Sequence, residues 1–262
     1  MKGRLITPTH WVYILVHAIL IVGGYTLASS GGLLRVGIGS SLIAAGVTGW
    51  VIFVYLLVAQ RVSERVRIVT EFGFTNAFAG RSVLIKAEYD KRLQQAHSGI
   101  DIMGFGLKTL REDYHDEFAR WRVRASVRIL MIDPRFPDAA NSYAWQRDTE
   151  EQDNPGSIQT NVDRFLKDIG PLVGSSGVHR FEIRLYRCLP SVNLFRVDDE
   201  MFWGPYLIGG QSRNNPTFIV RRGGQLFTIL QKHFDDIWRD DRLSVSLADY
   251  ITANPTTAET TE

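Results

Sequence analysis

Four charged residues lie within or next to apolar segments in the middle of the chain: Asp101, Arg128, Asp133 and Arg196. Each lies in or directly after a short run of aliphatic residues that predicts a β-strand. Ligands of open α/β sheets bind in the crevice outside the carboxyl ends of the strands. We therefore expect these four side chains to line a ligand site at that edge, although each of them taken singly is also typical of a protein surface.

Other patterns that carry chemistry are incomplete or lacking. Gly104-Phe105-Gly106 is not followed by the remaining residues of a phosphate-binding loop, and no Gly-x-Ser-x-Gly sequence is present. Four histidines of this region are dispersed and lack the spacing of metal ligands: His97, His115, His179 and His233. The single cysteine, Cys188, excludes an internal disulfide. We expect no cofactor and no metal.

The region that must position these residues, 99–250, alternates strand-like and helix-like segments. Strands are predicted near residues 100–105, 127–132, 181–186, 192–197, 201–207 and 216–220, and helices near 108–121, 139–153, 158–169 and 226–238. This alternation predicts an α/β domain with a layered sheet. Residues 251–262 are rich in Thr, Ala and Glu and are expected to form a disordered tail.

The order of these pieces resembles one catalytic half of the phospholipase D superfamily. The similarity covers about residues 100–239 and includes the strand segments Ile102-Met103-Gly104 and Arg128–Pro134, an acidic turn between two strands, and a last helix that ends in Phe234-Asp235-Asp236-Ile237-Trp238. No piece is specific by itself. The resemblance implies a phospholipase D-like fold for the domain.

The motif that would supply catalysis in that superfamily is degenerate in this chain. The family sequence is His-x-Lys, four further residues and Asp, in which His attacks phosphorus and Lys neutralises phosphate oxygens. When Asp198 is taken as the motif aspartate, Ser191 stands at the His position and Asn193 at the Lys position. The resemblance therefore implies a pseudoenzyme. The alternative for Asp198 is an ordinary turn residue, because Asp is common in tight turns.

The first sixty residues determine where the domain is held. From Leu5 to Leu34 and from Val36 to Gln60 the chain contains no Lys, Arg, Asp or Glu. A transmembrane helix needs about 20 mostly apolar residues to cross the hydrocarbon core. Residues 1–60 therefore predict a two-helix transmembrane hairpin. A signal peptide is the alternative for the first run, but a second uncharged run follows at once.

Basic residues flank the outer ends of the hairpin and are scarce in its turn: Lys2, Arg4, Arg61, Arg65 and Arg67, against Arg35 alone. The positive-inside rule then predicts that both termini and the domain are cytoplasmic, in a multi-pass inner-membrane protein with two helices. Residues 61–98 are expected to form a basic connector, a bend over residues 72–80 and then a helix. Residues 61–70 either lie along anionic headgroups or extend the second helix.

Two features of the hairpin suggest a role beyond anchoring. Gly37, Ser41, Ala45 and Gly49 recur every four residues, and small residues on one face allow close helix packing in lipid. That face either packs on the first helix of the same chain or forms a homo-oligomer contact. His17 lies within the first apolar run. An ionisable residue there is a functional candidate, and the alternative is a neutral His bonded to a hydroxyl of the neighbouring helix.

The charge distribution limits the partners of the domain. The net charge is +2, all 28 acidic residues follow residue 60, and all but three of the 30 basic residues do so too. A nearly neutral domain argues against direct sequence-specific DNA binding. The expected partners are the lipid bilayer, further copies of the chain, and a regulatory protein or a nucleotide- or nucleic-acid-bearing component of the same system.

Three functions follow as expectations. The first is a membrane effector whose inactive domain senses a ligand or partner and drives the hairpin to oligomerise. This architecture resembles membrane effectors of bacterial antiviral systems, which implies disruption of the inner membrane. The second is a membrane-anchored phosphodiesterase, a phospholipase or nuclease, with a rearranged site. The third is a non-enzymatic module that localises a partner to the membrane.

Overall fold

A computed structural model of the protein describes residues 8–80, 83–174, 179–189, 191–211 and 214–255. The chain divides into two compact units, one ending at Ile68 and one beginning at Val69. The predicted basic flank at Lys2 and Arg4 lies outside the described residues, as does the part of the tail after residue 255.

The first unit contains two long apolar helices, α1 (Pro8–Ser29) and most of α2 (Leu33–Phe72). Both are long and apolar enough to cross a membrane, and apolar side chains such as Leu15, Val22 and Val51 are more than 60% exposed along them. The chain reverses through Gly31 and Gly32, whose φ angles are +77° and +89°. Such angles favour glycine because a side chain would clash with the backbone.

Helix α2 continues twelve residues beyond the predicted end of the membrane segment. Its 40 residues correspond to a length of about 60 Å. No Gly or Pro interrupts residues 50–72, so nothing in the sequence ends the helix before Gly73, where φ is +82°. Of the two expectations for residues 61–70, the structure contains the extended helix.

The second unit is a mixed α/β domain with an eight-stranded sheet. Its strands are β1 (Phe74–Phe78), β2 (Gly99–Gly104), β3 (Ser126–Ile132), β4 (Phe181–Tyr186), β5 (Val192–Val197), β6 (Glu200–Pro205), β7 (Thr217–Arg221) and β8 (Ser244–Ser246). Its helices are α3 (Val83–Gln95), α4 (Lys108–Tyr114), α5 (Phe118–Arg124), α6 (Tyr143–Glu150), α7 (Ser157–Ile169), α8 (Gln225–Arg239) and α9 (Leu247–Ala253).

The strand order is β1-β7-β6-β5-β2-β3-β4-β8. Strands β2, β3 and β4 are parallel, and β5 joins β2 in the antiparallel direction. The helices supply apolar stripes to both faces of the sheet, for example Val162 and Phe165 of α7 and Phe227 and Phe234 of α8, all nearly inaccessible to solvent. The parallel pairs place the carboxyl ends of β2, β3 and β4 at one edge, where the candidate site must be sought.

Three segments differ from the sequence expectations. Residues 74–78, expected to form a bend, are the edge strand β1 paired with β7. The predicted helix at residues 108–121 is divided into α4 and α5 by a short 3-10 turn. Residues 251–253, expected to begin the disordered tail, complete α9, which is held to the core by the fully buried Tyr250 and capped by the Ser246 hydroxyl.

Candidate functional site

Three of the four charged residues meet in one buried cluster. Arg128 donates two hydrogen bonds of 2.8 Å to the two carboxylate oxygens of Asp101, and Arg196 Nε donates to Asp101 Oδ2 at 2.6 Å. Asp101 stands opposite Arg128 on β3 and opposite Arg196 on β5. The register of three neighbouring strands therefore builds the cluster within the sheet, away from the carboxyl ends at which we expected it.

Helix α8 closes this cluster. Gln231 Nε2 donates to Asp101 Oδ2 at 3.1 Å, and Asp235 accepts from Arg128 at 2.9 Å. The Arg128 guanidinium also lies 4.9 Å from the ring centroid of Phe234. Burial alone would raise the pKa of the Asp101 carboxyl, but hydrogen bonds and charges from Arg128 and Arg196 outweigh it and lower that pKa. The charged groups of the cluster are therefore engaged with one another.

Asp133 lies apart from the other three, at the expected edge. It directly follows β3, and its amide donates to the carbonyl of Tyr186 at 2.9 Å. Its carboxylate accepts from Arg187 Nε at 2.8 Å and from the Arg135 amide at 3.1 Å. Asp133 therefore joins the loops that follow β3 and β4.

The positions of the degenerate motif fall at opposite ends of β5. Ser191 precedes the strand and Asn193 lies at its start, whereas Asp198 follows its last residue. Asn193 and Asp198 are five residue steps apart, which corresponds to about 17 Å in an extended chain. Asp198 has a φ of +51° and accepts hydrogen bonds from the amides of His97, Ser98 and Gly99 at 2.9–3.1 Å. In this structure Asp198 holds the loop between α3 and β2.

Asn193 lines a cleft of about 500 Å³ at the carboxyl end of β2. Helices α3, α4 and the start of α7 form its walls, and β5, β7 and Tyr206, which directly follows β6, contribute to its floor. The polar side chains that line it are mostly amides and hydroxyls, including Asn154, Ser157, Asn161, Asn193, Gln211 and Thr217. Such a volume with scattered polar groups is typical of a small-molecule site. None of Asp101, Arg128, Asp133 and Arg196 lines it.

The loop after β2 shapes one edge of the cleft. Leu107 has a φ of +48°, which is unusual for a residue with a side chain. Its Cδ2 atom lies 2.6 Å from the position that a Cβ on Gly104 would occupy, so a larger residue at position 104 would require the Leu107 side chain to shift. Gly106 packs equally closely against Asn161 of α7. The two glycines therefore serve packing of this loop.

A buried arginine supports the aromatic edge of the cleft. Arg147 of α6 donates to Glu150, Glu151 and the carbonyl of Leu207 at 2.9–3.1 Å. Its guanidinium lies 5.2 Å from the ring centroid of Tyr206. Burial raises the pKa of the Tyr206 hydroxyl, which therefore stays protonated. The edge is consequently a fixed aromatic surface with a neutral hydroxyl.

The amino terminus of α7 at the cleft is already occupied by a carboxylate of the chain. Asp148, which is 2% exposed, accepts from the amides of Gly156 and Ile158 at 2.8 and 3.0 Å. These amides are the groups that bind phosphate at other helix termini. Burial raises the pKa of the Asp148 carboxyl, although both amide hydrogen bonds oppose the shift. An anionic ligand group cannot take this position without displacing Asp148.

The small residues of α2 divide between two faces of the helix. Gly39, Gly46 and Gly49 are buried against α1, where a Cβ would approach Ala28, Ile21 and His17, respectively, within 3 Å. Gly37, Ser41 and Ala45 are exposed, and nothing lies within 4 Å of a Cβ on Gly37. A step of four residues advances about 40° beyond a full turn, so Gly49 is rotated about 120° from Gly37. The predicted face therefore comprises the first three residues, and Gly49 belongs to the hairpin contact.

His17 fills the space over Gly49. Its ring stacks on Tyr13 at 4.1 Å between centroids, and Nδ1 lies 2.9 Å from the carbonyl oxygen of Tyr13 in its own helix. Tyr13 in turn donates to the carbonyl of Gly49 at 3.3 Å. The hydrogen bond of His17 thus goes to its own backbone, in place of a hydroxyl of the neighbouring helix. In this arrangement His17 packs the two helices together.

Sequence reasoning missed the cleft because its lining is assembled from six separate helices and strands and from the loops between them. Asn193 was considered only as a failed Lys position, and Gly104-Phe105-Gly106 only as an incomplete phosphate loop. The amides of Asn154 and Asn161 gave no signal, since isolated Asn residues are common in loops. Within the ranges that the structure describes, no group of three or more His, Cys, Asp and Glu side chains is arranged to hold a metal ion.

No protein-family model and no curated protein matches the chain. Among solved structures, the chain is similar to the archaeal chromatin protein TrmBL2, described as showing a novel mode of DNA binding, with 12% identity over 76% of this chain and 68% of that one and a TM-score of 0.38. It is also similar to phosphatidylserine synthase from Haemophilus influenzae Rd KW20, with 14% identity and a TM-score of 0.43 over 65% of this chain and 38% of the synthase.

Proposed function

We propose that the protein is a membrane-anchored effector without catalysis of its own. Its cytoplasmic, phospholipase D-like domain binds a ligand or partner in the cleft at Asn193. Binding drives oligomerisation of the two-helix hairpin in the inner membrane, and the oligomer disrupts that membrane in antiviral defence. The termini and the domain lie in the cytoplasm in this proposal.

The main support for the proposal is that the small residues of α2 lie on two different faces of the helix. Gly39, Gly46 and Gly49 already close the hairpin, so α1 does not need Gly37, Ser41 and Ala45. Helices associate in lipid through close packing of small residues. The exposed face of Gly37, Ser41 and Ala45 is therefore available for a second copy of the hairpin.

The cleft supports sensing in place of hydrolysis. Asn193 and Ser191 supply neither a charged group nor an imidazole, and the degenerate motif is split by the length of β5. A rearranged phosphodiesterase would need a histidine nucleophile, and none of His97, His115, His179 and His233 lines the cleft. A site with hydrogen-bonding groups and no activated nucleophile suits binding.

The hairpin and the sheet of the domain are directly connected along the chain. Helix α2 runs without a break from the hairpin to Phe72, and Gly73 joins it to the edge strand β1 of the sheet. A trigger can favour the clustered state only as far as it binds that state better than the resting state. The proposal therefore requires the ligand affinity of the clustered protein to exceed that of the monomer.

Disulfide cross-linking in bacterial cells tests the proposal. In a Cys188→Ser background, Ser41→Cys places the only thiol on the exposed face, and Ser40→Cys places it on a neighbouring strip of the same helix. We expect Ser41→Cys to cross-link, and the membrane to depolarise, when the system that carries the trigger is active. Equal cross-linking of both variants, or a monomer with a polarised membrane under all conditions, would refute it. An unrelated membrane anchor that preserves all activity would favour a localising module instead.

A further inference from the structure

A single amide stands at the centre of the cleft floor. Asn193 lies directly opposite Gly204 across β5 and β6, and continuing the β2–β5 register by one residue brings Gly104 to its other side. Thr217 of β7 completes this transverse row. Because glycine occupies the position on either side, the Asn193 side chain has open space beside it, and it is the one amide in the row, with separate donor and acceptor atoms.

The backbone holds this amide in place. A Cβ on Gly204 would lie 3.2 Å from Asn193 Nδ2 and 2.7 Å from the Pro216 carbonyl oxygen. Glycine at position 204 is therefore required for the amide to lie where it does. Asn193 remains partly exposed, and within the described part of the chain none of the hydrogen bonds involves its side chain. Its donor and acceptor are thus positioned and available to a ligand.

Aromatic rings flank the amide along the strands. Phe195 lies two residues further along β5 and contacts Tyr89 of α3 with 5.1 Å between ring centroids. On the other side, Tyr206 lies two residues beyond Gly204 and packs edge-on against Phe105 at 4.5 Å. A planar ligand between these pairs would contact ring surfaces while its edge meets Asn193.

The charges of the cleft do not favour a polyanion. Lys86 and Lys108 are outnumbered by Asp113, Glu151 and Asp153 among the lining residues. Lys86 is 3.3 Å from Asp90 and lies over the ring of Tyr114. Asp148 occupies the amides at the start of α7. The charges of the lining therefore favour a ligand whose recognised part is uncharged and fits a volume of about 500 Å³.

We propose that the cleft binds an adenine base, with the Asn193 amide paired to a base edge that carries one donor and one acceptor. An amide matches the N6 donor and N7 acceptor of adenine, whereas the corresponding edge of guanine presents two acceptors and suits arginine. This inference rests on the proposed sensing function and deepens it by naming the chemical class of the ligand.

Binding to the full-length protein in detergent micelles tests the inference by calorimetric titration with adenosine, guanosine, AMP and inorganic phosphate. We expect adenosine to bind, AMP to bind within about threefold of adenosine, and phosphate not to compete. Asn193→Leu should weaken adenosine binding by roughly tenfold or more, the loss of one bidentate amide–base pair. Asn193→Asp, which removes only the donor, should also weaken it. Gln94→Leu, which removes an exposed amide outside the cleft, should not.

Equal affinities for adenosine and guanosine, unchanged adenosine binding by Asn193→Asp in a folded protein, or no adenosine binding would each overturn the adenine assignment. These results leave the cross-linking of Ser41→Cys in triggered cells unaffected. Conversely, adenosine binding that depends on Asn193 without any clustering of the hairpin would uphold the assignment and refute the proposed function.

Discussion

Gly73 and Gly224 touch backbone to backbone where α2 ends on the β7–α8 turn. A Cβ on Gly224 would lie 2.4 Å from the Cα of Gly73 and 2.6 Å from the carbonyl oxygen of Phe72. The Gly73 carbonyl accepts from the Arg221 amide at 3.0 Å, and Gln225 donates to Glu71 at 2.8 Å. The last turn of the long helix is therefore docked on the domain without an intervening side chain.

Gly224→Ala should destabilise the α/β domain by about 1–3 kcal/mol, because the added methyl group meets backbone atoms that have little freedom to move. Urea unfolding of the detergent-solubilised protein, followed by tryptophan fluorescence, measures the change. Gly210→Ala is the matched control, since nothing lies within 4 Å of a Cβ there. A Gly224→Ala protein as stable as Gly210→Ala would show that this contact is loose.

Asp101 should make the domain sensitive to acid. Its pKa in the folded protein is lowered from the usual 3.8 by Arg128 and Arg196 against the effect of burial. The ionised carboxylate therefore stabilises the fold fully above pH 3.8, and this contribution is lost as the pH falls through the lower folded pKa. Asp101→Asn should cost about 3–5 kcal/mol at pH 7, because the buried Arg196 loses its charged partner and the partly exposed Arg128 retains only Asp235.

Urea midpoints from pH 7 to pH 2 measure both effects of Asp101→Asn. The variant should lose less stability than the natural protein over the acidic part of this range. Parallel curves for the two proteins would mean that Asp101 is not the group responsible. Asp236→Asn is a suitable control, because Asp236 forms an exposed pair with Lys232 on the same helix as Gln231 and Asp235.

Asp198→Ala should destabilise the domain and leave ligand binding intact. Its carboxylate accepts from three loop amides, of which those of His97 and Ser98 are exposed and that of Gly99 is partly buried. Leaving a buried donor without its acceptor costs about 1–3 kcal/mol. Asp199→Ala is the matched control in the same turn, since Asp199 forms only an exposed pair with Arg222. Thermal unfolding compares the two variants. Loss of ligand binding in a stably folded Asp198→Ala protein would contradict the structural role assigned here.

Bulky residues on the exposed face of α2 should reduce oligomerisation. Ser41→Leu and Ala45→Leu each place a large side chain where a second helix has to approach closely. Ser40→Leu adds the same bulk on a neighbouring strip and should have little effect. Light scattering in detergent gives the mass of each variant in the presence of the trigger. Oligomers that survive both face variants would move the contact elsewhere on the hairpin.

Local sequence patterns predicted the strands of the domain well, because each strand is a compact apolar run. The segments at residues 127–132, 181–186 and 192–197 match β3, β4 and β5 within one residue. Strand β1 was missed because its identity depends on pairing with Thr217–Val220, far away in the sequence. Edge strands carry less apolar signal of their own, so the pairing partner decides their structure.

Of the four charged residues predicted to share one site, three do lie together, but within the sheet and not at its carboxyl edge. Spacing along the chain cannot say which residues stand opposite each other, and the register alone brings Asp101 between Arg128 and Arg196. The four-residue repeat on α2 shows the same limit. Residues spaced by four are progressively rotated about the helix axis, and only the packing against α1 shows that Gly49 lies on a different face from Gly37.

Asp148 limits which ligand groups can bind at the start of α7. This carboxylate accepts hydrogen bonds from the two amides at the start of α7, which are therefore not available to a phosphate group. Phosphorylated metabolites in general then gain nothing from the helix terminus and are left to compete through their other groups. For the adenine ligand proposed for the cleft, discrimination against phosphorylated competitors would then depend on the shape and the hydrogen-bonding edge that meet Asn193.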